Sequence, residues 1–344
     1  MTGFEDCRIL VTGGAGFVGS NLVRRLLQLG AEQIHIVDNL LSAERTNVPS
    51  DAAVLFTEAS ITDDDVLKNL GDEYDFVFHL VTYHGNQSSI YDPLADHANN
   101  TLTTLRLYER IKNFRRLRKV IYSSAGCSVA EKTFGDANAT VETEFVSLVQ
   151  DSPYSMSKIF GEFYSNYYHR QHGLPTVRAR FQNVYGPGEI LGAGKWRGTP
   201  ATVWRNVTPT FIYKALKREP LPLENPSATR DFIYVEDVVA GLIACALEGN
   251  AGDAYNIASG TQTSIRELAE RINSLAGNKS GIVETPARSW DKSGKRFGST
   301  EKSRCEIGFQ SRVSVDEGLT RTVQWTRENL ALIERTIQKH AAYL

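Results

Sequence analysis

Two groups of residues in this chain could do chemistry together. Tyr154 and Lys158, in Tyr154-Ser-Met-Ser-Lys158, are four positions apart, so on a helix a phenol and an ammonium share one face. A free phenol loses its proton near about pH 10, too high for a base at neutrality. A neighbouring ammonium favours the phenolate, and a cationic ring bound alongside adds to the effect. The pair can then take up and return a proton in the range a general base needs. Tyr and Lys at this spacing are common on surface helices, so a second feature must support the reading. It lies near the N-terminus, in Gly13-Gly-Ala-Gly16-Phe17-Val18-Gly19. Gly13 suits a tight turn, Gly16 lets backbone approach a pyrophosphate, and Gly19 lets a helix pack closely on a sheet. The helix N-terminus adds N–H groups and partial positive charge for phosphates. Asp38 stands 19 residues beyond Gly19, where a carboxylate holds a ribose 2′-hydroxyl and repels a 2′-phosphate. The expected cofactor is NAD rather than NADP.

The elements that must position these groups are legible as an alternation. Arg8–Thr12, Gln33–Asp38, Val54–Thr57, Asp75–Leu80 and Val120–Ser123 read as strands. Ser20–Leu29 between the first two has a helical apolar pattern, and Gly30 is its expected C-cap. Strands alternating with helices predict an α/β fold, a doubly wound parallel Rossmann sheet. Ser152 caps and Pro153 opens the helix that carries Tyr154 and Lys158. The stretch from Gly186 to Pro226 is rich in Gly, Pro and Trp, and reads as a substrate-covering insertion with one helix near Thr208–Lys217. Asp231–Val235 and Ala254–Ile257 again read as strands. Ser264-Ile-Arg-Glu267 and Ser314-Val-Asp-Glu317 are capping boxes that start helices over 264–276 and 315–328. The expected division is a cofactor domain, 1–182 plus about 231–262, and a smaller mixed α/β substrate domain, about 183–230 plus 263–344.

The bulk numbers exclude other classes. The net charge is −2, which is no footprint for nucleic acid. The densest basic run, Lys112 to Lys119, reads as a solvated helix end and loop. No apolar run approaches the length of about 20 residues that crosses a bilayer, and no signal region opens the chain. The four cysteines, Cys7, Cys127, Cys245 and Cys305, have no metal or redox spacing. No metal is expected, and sparse cysteine fits a reducing cytoplasm.

At this point the chain resembles the extended short-chain dehydrogenase/reductases, in particular the NAD-dependent nucleotide-sugar epimerases and dehydratases. The resemblance rests on the glycine turn, Asn100-Thr-Leu-Thr-Thr104, Ser123-Ser124, Tyr154/Lys158, Arg180-Phe-Gln-Asn-Val-Tyr-Gly-Pro187 and Arg230-Asp-Phe-Ile-Tyr-Val235. It implies that Tyr154 takes a sugar hydroxyl proton and that Lys158 binds the nicotinamide ribose. It implies cofactor contacts at Phe17, Val18, Asn39, Ser60, Ile61, Leu80, Val81 and Asn100. Gln182, Asn183 and Arg230 would meet the substrate diphosphate, with Arg288 and Asp291 at phosphate and ribose. For Arg230 the competing reading is a surface ion pair with Asp231. The family's acid beside adenine is replaced here by Ser60. The hydroxyl after the fifth strand is Ser124 or Ser128. A dehydratase carries Asp-Glu just after that hydroxyl, and this chain has Ala125-Gly126, which leaves room for a keto-sugar to turn over. The resemblance therefore implies C4 epimerisation of a UDP-hexose or UDP-hexuronate by a homodimer. The alternative is a GDP-hexose 3,5-epimerase using Cys127 and Lys195. Lys195, Arg197 and Arg205 could meet a sugar carboxylate. Dehydratase, decarboxylase, keto-sugar reductase and a non-catalytic NAD-binding protein complete the alternatives.

Overall fold

Every residue of β1 (Arg8–Thr12) but the first is buried, as a central parallel strand covered on both faces requires. Ile9 and Val11 point to one face, where they join Leu22, Leu26, Leu242 and Cys245. Leu10 points to the other, with Val37, Val77, Leu107 and Ile111. This period-2 alternation gives the sheet two apolar faces, each covered by helices. The computed structural model describes residues 3–126, 135–144, 146–286 and 294–344.

β1 pairs in parallel with β2 (Gln33–Asp38) on one side and β4 (Phe76–His79) on the other. With β3 (Val54–Glu58), β5 (Lys119–Ala125), β6 (Thr176–Phe181) and β11 (Ala254–Ile257), the order is β11-β6-β5-β4-β1-β2-β3. All pairings in this sheet are parallel. The order reverses between β1 and β4, which opens a crevice beyond their carboxyl ends. The Rossmann expectation holds, with one strand more than the sequence signals before residue 182, namely β6.

The smaller part is built from two-stranded ladders and helices. β7 (Asn183–Tyr185) pairs in parallel with β10 (Phe232–Tyr234). The segment expected near Asp231–Val235 is thus a strand, but it lies outside the main sheet. β8 (Leu221–Leu223) and β9 (Thr229–Arg230) belong to two further ladders. Tyr185, Phe211, Phe232, Tyr234, Leu268 and Leu319 share a separate apolar cluster. Ile190, Leu191 and Ala193, from the segment after β7, pack on Ile333 of the last long helix, Leu330–Gln338.

Candidate active site

The glycine turn is built as its residue types require. Gly13 has φ +79°, and a Cβ there meets Leu80 and Val81 backbone at 2.8 Å. A Cβ on Gly19 falls 2.2 Å from the Gly13 carbonyl oxygen, so the helix Phe17–Gln28 lies directly on the turn. On Gly16 it meets only the Gly13 oxygen, at 3.2 Å, so this side of the turn is open. Asp38 ends β2 and is buried. Its Oδ2 accepts the Ala15 N–H at 3.0 Å and its Oδ1 the Leu40 N–H at 2.9 Å. Burial pushes the carboxyl above its ordinary range despite these backbone donors. The carboxylate still has acceptor capacity for a ribose hydroxyl. Asn39, Ser60, Ile61, Leu80 and Val81 line the same cleft, with Phe17 and Val18. An open glycine turn beside a buried acid at the end of β2 fits a dinucleotide.

Tyr154 and Lys158 stand on the helix Pro153–His172, which Ser152 caps by accepting the Ser155 N–H. The helix passes so close to β5 that a Cβ on Gly161 falls 1.9 Å from the Tyr122 hydroxyl. This approach sets Lys158 against the strand end, where its Nζ donates to the Ser123 carbonyl at 3.0 Å. Lys158 is buried, and its Nζ lies 5.9 Å from the Tyr154 ring centroid. Both residues line the cleft. On its other side Tyr154 meets the His84 ring edge to face at 6.0 Å. Burial and then the Arg205 charge hold His84 neutral, its pKa pushed down to about 3.

Ser124 lines the cleft, but its hydroxyl is already engaged, donating to Glu162 Oε1. Glu162 in turn takes a forked pair of bonds from Arg180, at 2.8 and 2.7 Å. Burial alone would raise the Glu162 carboxyl, yet the Arg180 and Ser124 bonds hold it below its usual range. With its proton given to a carboxylate, Ser124 presents lone pairs to the cleft and acts there as an acceptor.

The cleft, about 400 Å³ in volume, also brings in Gln182, Asn183 and Arg230. The Asn183 N–H donates to the Asp231 carbonyl across the β7–β10 ladder. Arg230 Nη1 donates to the Thr229 and Gly294 carbonyls, at 2.7 Å each. The Asp231 carboxylate is buried and accepts from Ser259, Gly260 and Gly298. It serves the loop rather than the surface.

Two expected residues stand elsewhere. Asn100 does not line the cleft. It is buried, with Oδ1 accepting the Tyr83 N–H at 2.7 Å and Nδ2 donating to Asp96 at 2.7 Å. It pins the loop after β4, while its neighbours Asn99 and Thr103 reach the cleft. Lys195 is exposed and lies outside the cleft lining. Its backbone N–H is anchored to the Leu41 carbonyl in a turn of left-handed glycines, which carries its side chain outward. Cys127, Ser128, Arg288 and Asp291 lie outside the described residues.

The residues that sequence reasoning passed over are His84, Glu189, Asn206 and Arg296, all in the cleft wall. Arg205, expected only as a contact for a sugar carboxylate, is there as well. Their signal is faint, because single polar residues in loops look alike until the loop is placed. Among the described residues no cluster of three His, Cys, Asp or Glu could hold a metal. No described helix is long and apolar enough to cross a membrane.

The geometry agrees with what the chain is similar to. A putative UDP-glucose 4-epimerase of Methanocaldococcus jannaschii is 30% identical over 324 residues, 93% of this chain and 99% of its own. A dTDP-glucose 4,6-dehydratase of Streptomyces antibioticus is 29% identical over 334 residues, 94% of this chain and 93% of its own. The crystal structure of the Bordetella bronchiseptica enzyme WbmF in complex with NAD+ and UDP superposes with a TM-score of 0.91 at 65% identity, covering 100% of this chain and 99% of that one. Residues 9–258 match the sequence profile of one family. The chain belongs to the NAD dependent epimerase/dehydratase family.

Proposed function

We propose that this enzyme inverts C4 of a UDP-hexose or UDP-hexuronate through a transient 4-keto sugar. The observation that carries the reading is the floor of the cleft beside Tyr154 and Lys158. There β5 ends in Ser124-Ala125, with Gly126 next in sequence, where a dehydratase needs an acid and a base for the C6 hydroxyl and the C5 hydrogen. Small residues leave a flat keto-sugar room to present its other face.

NAD+, when bound, accepts a hydride from C4 and gives it back. Tyr154 takes the proton from the C4 hydroxyl as the carbonyl forms, and returns it at the end. Lys158, fixed to the Ser123 carbonyl, supplies the positive charge that favours the phenolate. Ser124, whose own proton is held by Glu162, offers its lone pairs to a neighbouring sugar hydroxyl, because the single proton of the C4 hydroxyl goes to Tyr154. Asn183 and Arg230 stand on the side of the cleft built from β7 and β9, where they meet the diphosphate. UDP is favoured as the nucleotide because UDP-sugar enzymes and a UDP complex are among its relatives.

The 3,5-epimerase alternative needs Lys195 in the cleft, and Lys195 is outside it. The proposal includes a cytoplasmic homodimer, for which an exposed aromatic stripe on the tyrosine helix is the support. The test is incubation with UDP-, GDP-, CDP- and dTDP-sugars in D2O, followed by NMR. A C4 epimer without solvent deuterium is expected. Deuterium at C3 or C5, or loss of the C6 hydroxyl, overturns the assignment.

A further inference from the structure

The segment from Gly188 to Asn206 leaves charged atoms buried and unused in the cleft wall. Glu189 is 6% exposed. Its Oε1 accepts from Asn206 Nδ2, whose own Oδ1 lies 3.0 Å from His84 Nε2. Its Oε2 is buried with no hydrogen-bond partner among the described residues. Arg205 spends Nη1 on the Ser42 carbonyl at 3.2 Å and Nη2 on the Ala193 carbonyl at 2.8 Å. Its Nε is buried and also without a partner among the described residues. The two side chains feel each other's charge, yet no ion pair joins them. Both line the cleft that holds Tyr154. Leaving a buried polar group unpaired costs stability, and more when it is charged. One bound group that offers a donor to Glu189 and an acceptor to Arg205 removes both costs.

We propose that Glu189 and Arg205 hold an acylamino group on C2 of the hexose, its N–H donating to Glu189 Oε2 and its carbonyl accepting from Arg205 Nε. The inference rests on the nucleotide-sugar reading above and names the sugar within it. Three observations select this group. An amide carries one donor and one acceptor side by side, the complement of an orphan carboxylate oxygen and an orphan guanidinium N–H. Ile190, Ala193, Ala201 and Trp204 line the same cleft and give an acyl methyl an apolar surface that a plain hydroxyl would leave wet. Arg205 touches Ala193 and follows Trp204 directly, so this surface adjoins the amide site.

Placement at C2 follows from the chain Glu189–Asn206–His84–Tyr154. These contacts join the cluster to the reacting phenol through His84, so it faces a substituent removed from C4 rather than one on C3 or C5. C2 and the exocyclic C6 meet that condition. A C6 carboxylate offers acceptors only and would set its charge against Glu189.

Binding tests this without turnover. Holoenzyme with labelled UDP is titrated at pH 8 with UDP-N-acetylglucosamine, UDP-glucose and UDP-glucuronate. UDP-N-acetylglucosamine is expected to displace UDP at least about 30-fold more effectively than UDP-glucose, because a site built to bond a group rejects analogues lacking it. In Glu189→Gln the side-chain carbonyl stays on Asn206 and an NH2 faces the amide N–H, donor against donor. That variant should lose most of the preference while binding UDP itself as before, which also shows that it is folded. Arg205→Lys, which moves the donor, should do the same. Equal displacement by UDP-glucose, tighter binding of UDP-glucuronate, or an intact preference in both variants overturns the proposal. A selective enzyme that inverts another carbon overturns only the C4 assignment.

Discussion

At the scale of single residues, function depends on what each side chain already holds. Lys158 is committed to the Ser123 carbonyl and Ser124 to Glu162, and the proposed mechanism gives the proton transfer to Tyr154. Tyr154→Phe is expected to lower kcat at least about 100-fold, the scale of general acid–base catalysis, while bound NAD measured by absorbance stays unchanged. Full activity in that variant removes Tyr154 from the mechanism. Glu189 carries a prediction of its own. Burial raises its carboxyl from the ordinary 4.5 to about 7, ahead of the lowering effects of Asn206 and Arg205. Between these values the folded protein holds a proton that the unfolded chain has released, so stability falls as pH rises through that window. Glu189→Gln, which never ionises, should be more stable than the parent above pH 7, by up to about 3 kcal/mol, with the gap closing toward pH 4.5. Melts of the two proteins across pH check this, and a constant difference contradicts it. Tyr154 and Lys158 could be read from sequence because a spacing of four is itself geometric information. Asn100 and Lys195 could not, since nothing local says that one carboxamide faces inward to Tyr83 and Asp96 while one ammonium faces water.

At the scale of elements, local rules were legible wherever they involve few residues. The glycine turn, the Ser152 cap and the Ser264–Glu267 capping box all form. The second expected box forms by half. Ser314 accepts the Glu317 N–H, but the Glu317 carboxylate bonds Arg321 instead of reaching back. β6 carries no clear strand signal because Arg178 and Arg180 interrupt its apolar run. Each is satisfied from elsewhere in the chain, Arg180 by Glu162 and Arg178 by the Gly252 carbonyl. The close approaches make a sharp prediction. Gly19→Ala places a methyl 2.2 Å from the Gly13 oxygen, backbone that cannot yield cheaply. It should cost about 1–3 kcal/mol in stability and release NAD during gel filtration. Retention of full NAD content in Gly19→Ala contradicts the role given to the turn.

At the scale of the molecule, the alternation of strands and helices was enough to predict the doubly wound sheet. It could not show that the segment after β7 packs on the last helix, because that contact joins Ile190 and Leu191 to Ile333 and Thr336, with Leu191 and Thr336 145 positions apart in sequence. Met156, Phe160, Phe163 and Tyr167 form one exposed stripe on the tyrosine helix, at spacings of four, three and four. If this stripe is the homodimer contact, Phe160→Asp with Phe163→Asp gives a monomer in analytical ultracentrifugation; an unchanged sedimentation coefficient places the contact elsewhere. In the proposed reaction the turn and the tyrosine helix serve one carbon of the sugar, and isotopic label at that carbon reads the outcome directly. UDP-N-acetylglucosamine carrying deuterium at C4, turned over in ordinary water, should yield the C4 epimer with the deuterium still at C4. Loss of the label to solvent, or inversion at another carbon with C4 untouched, would contradict hydride return to the opposite face.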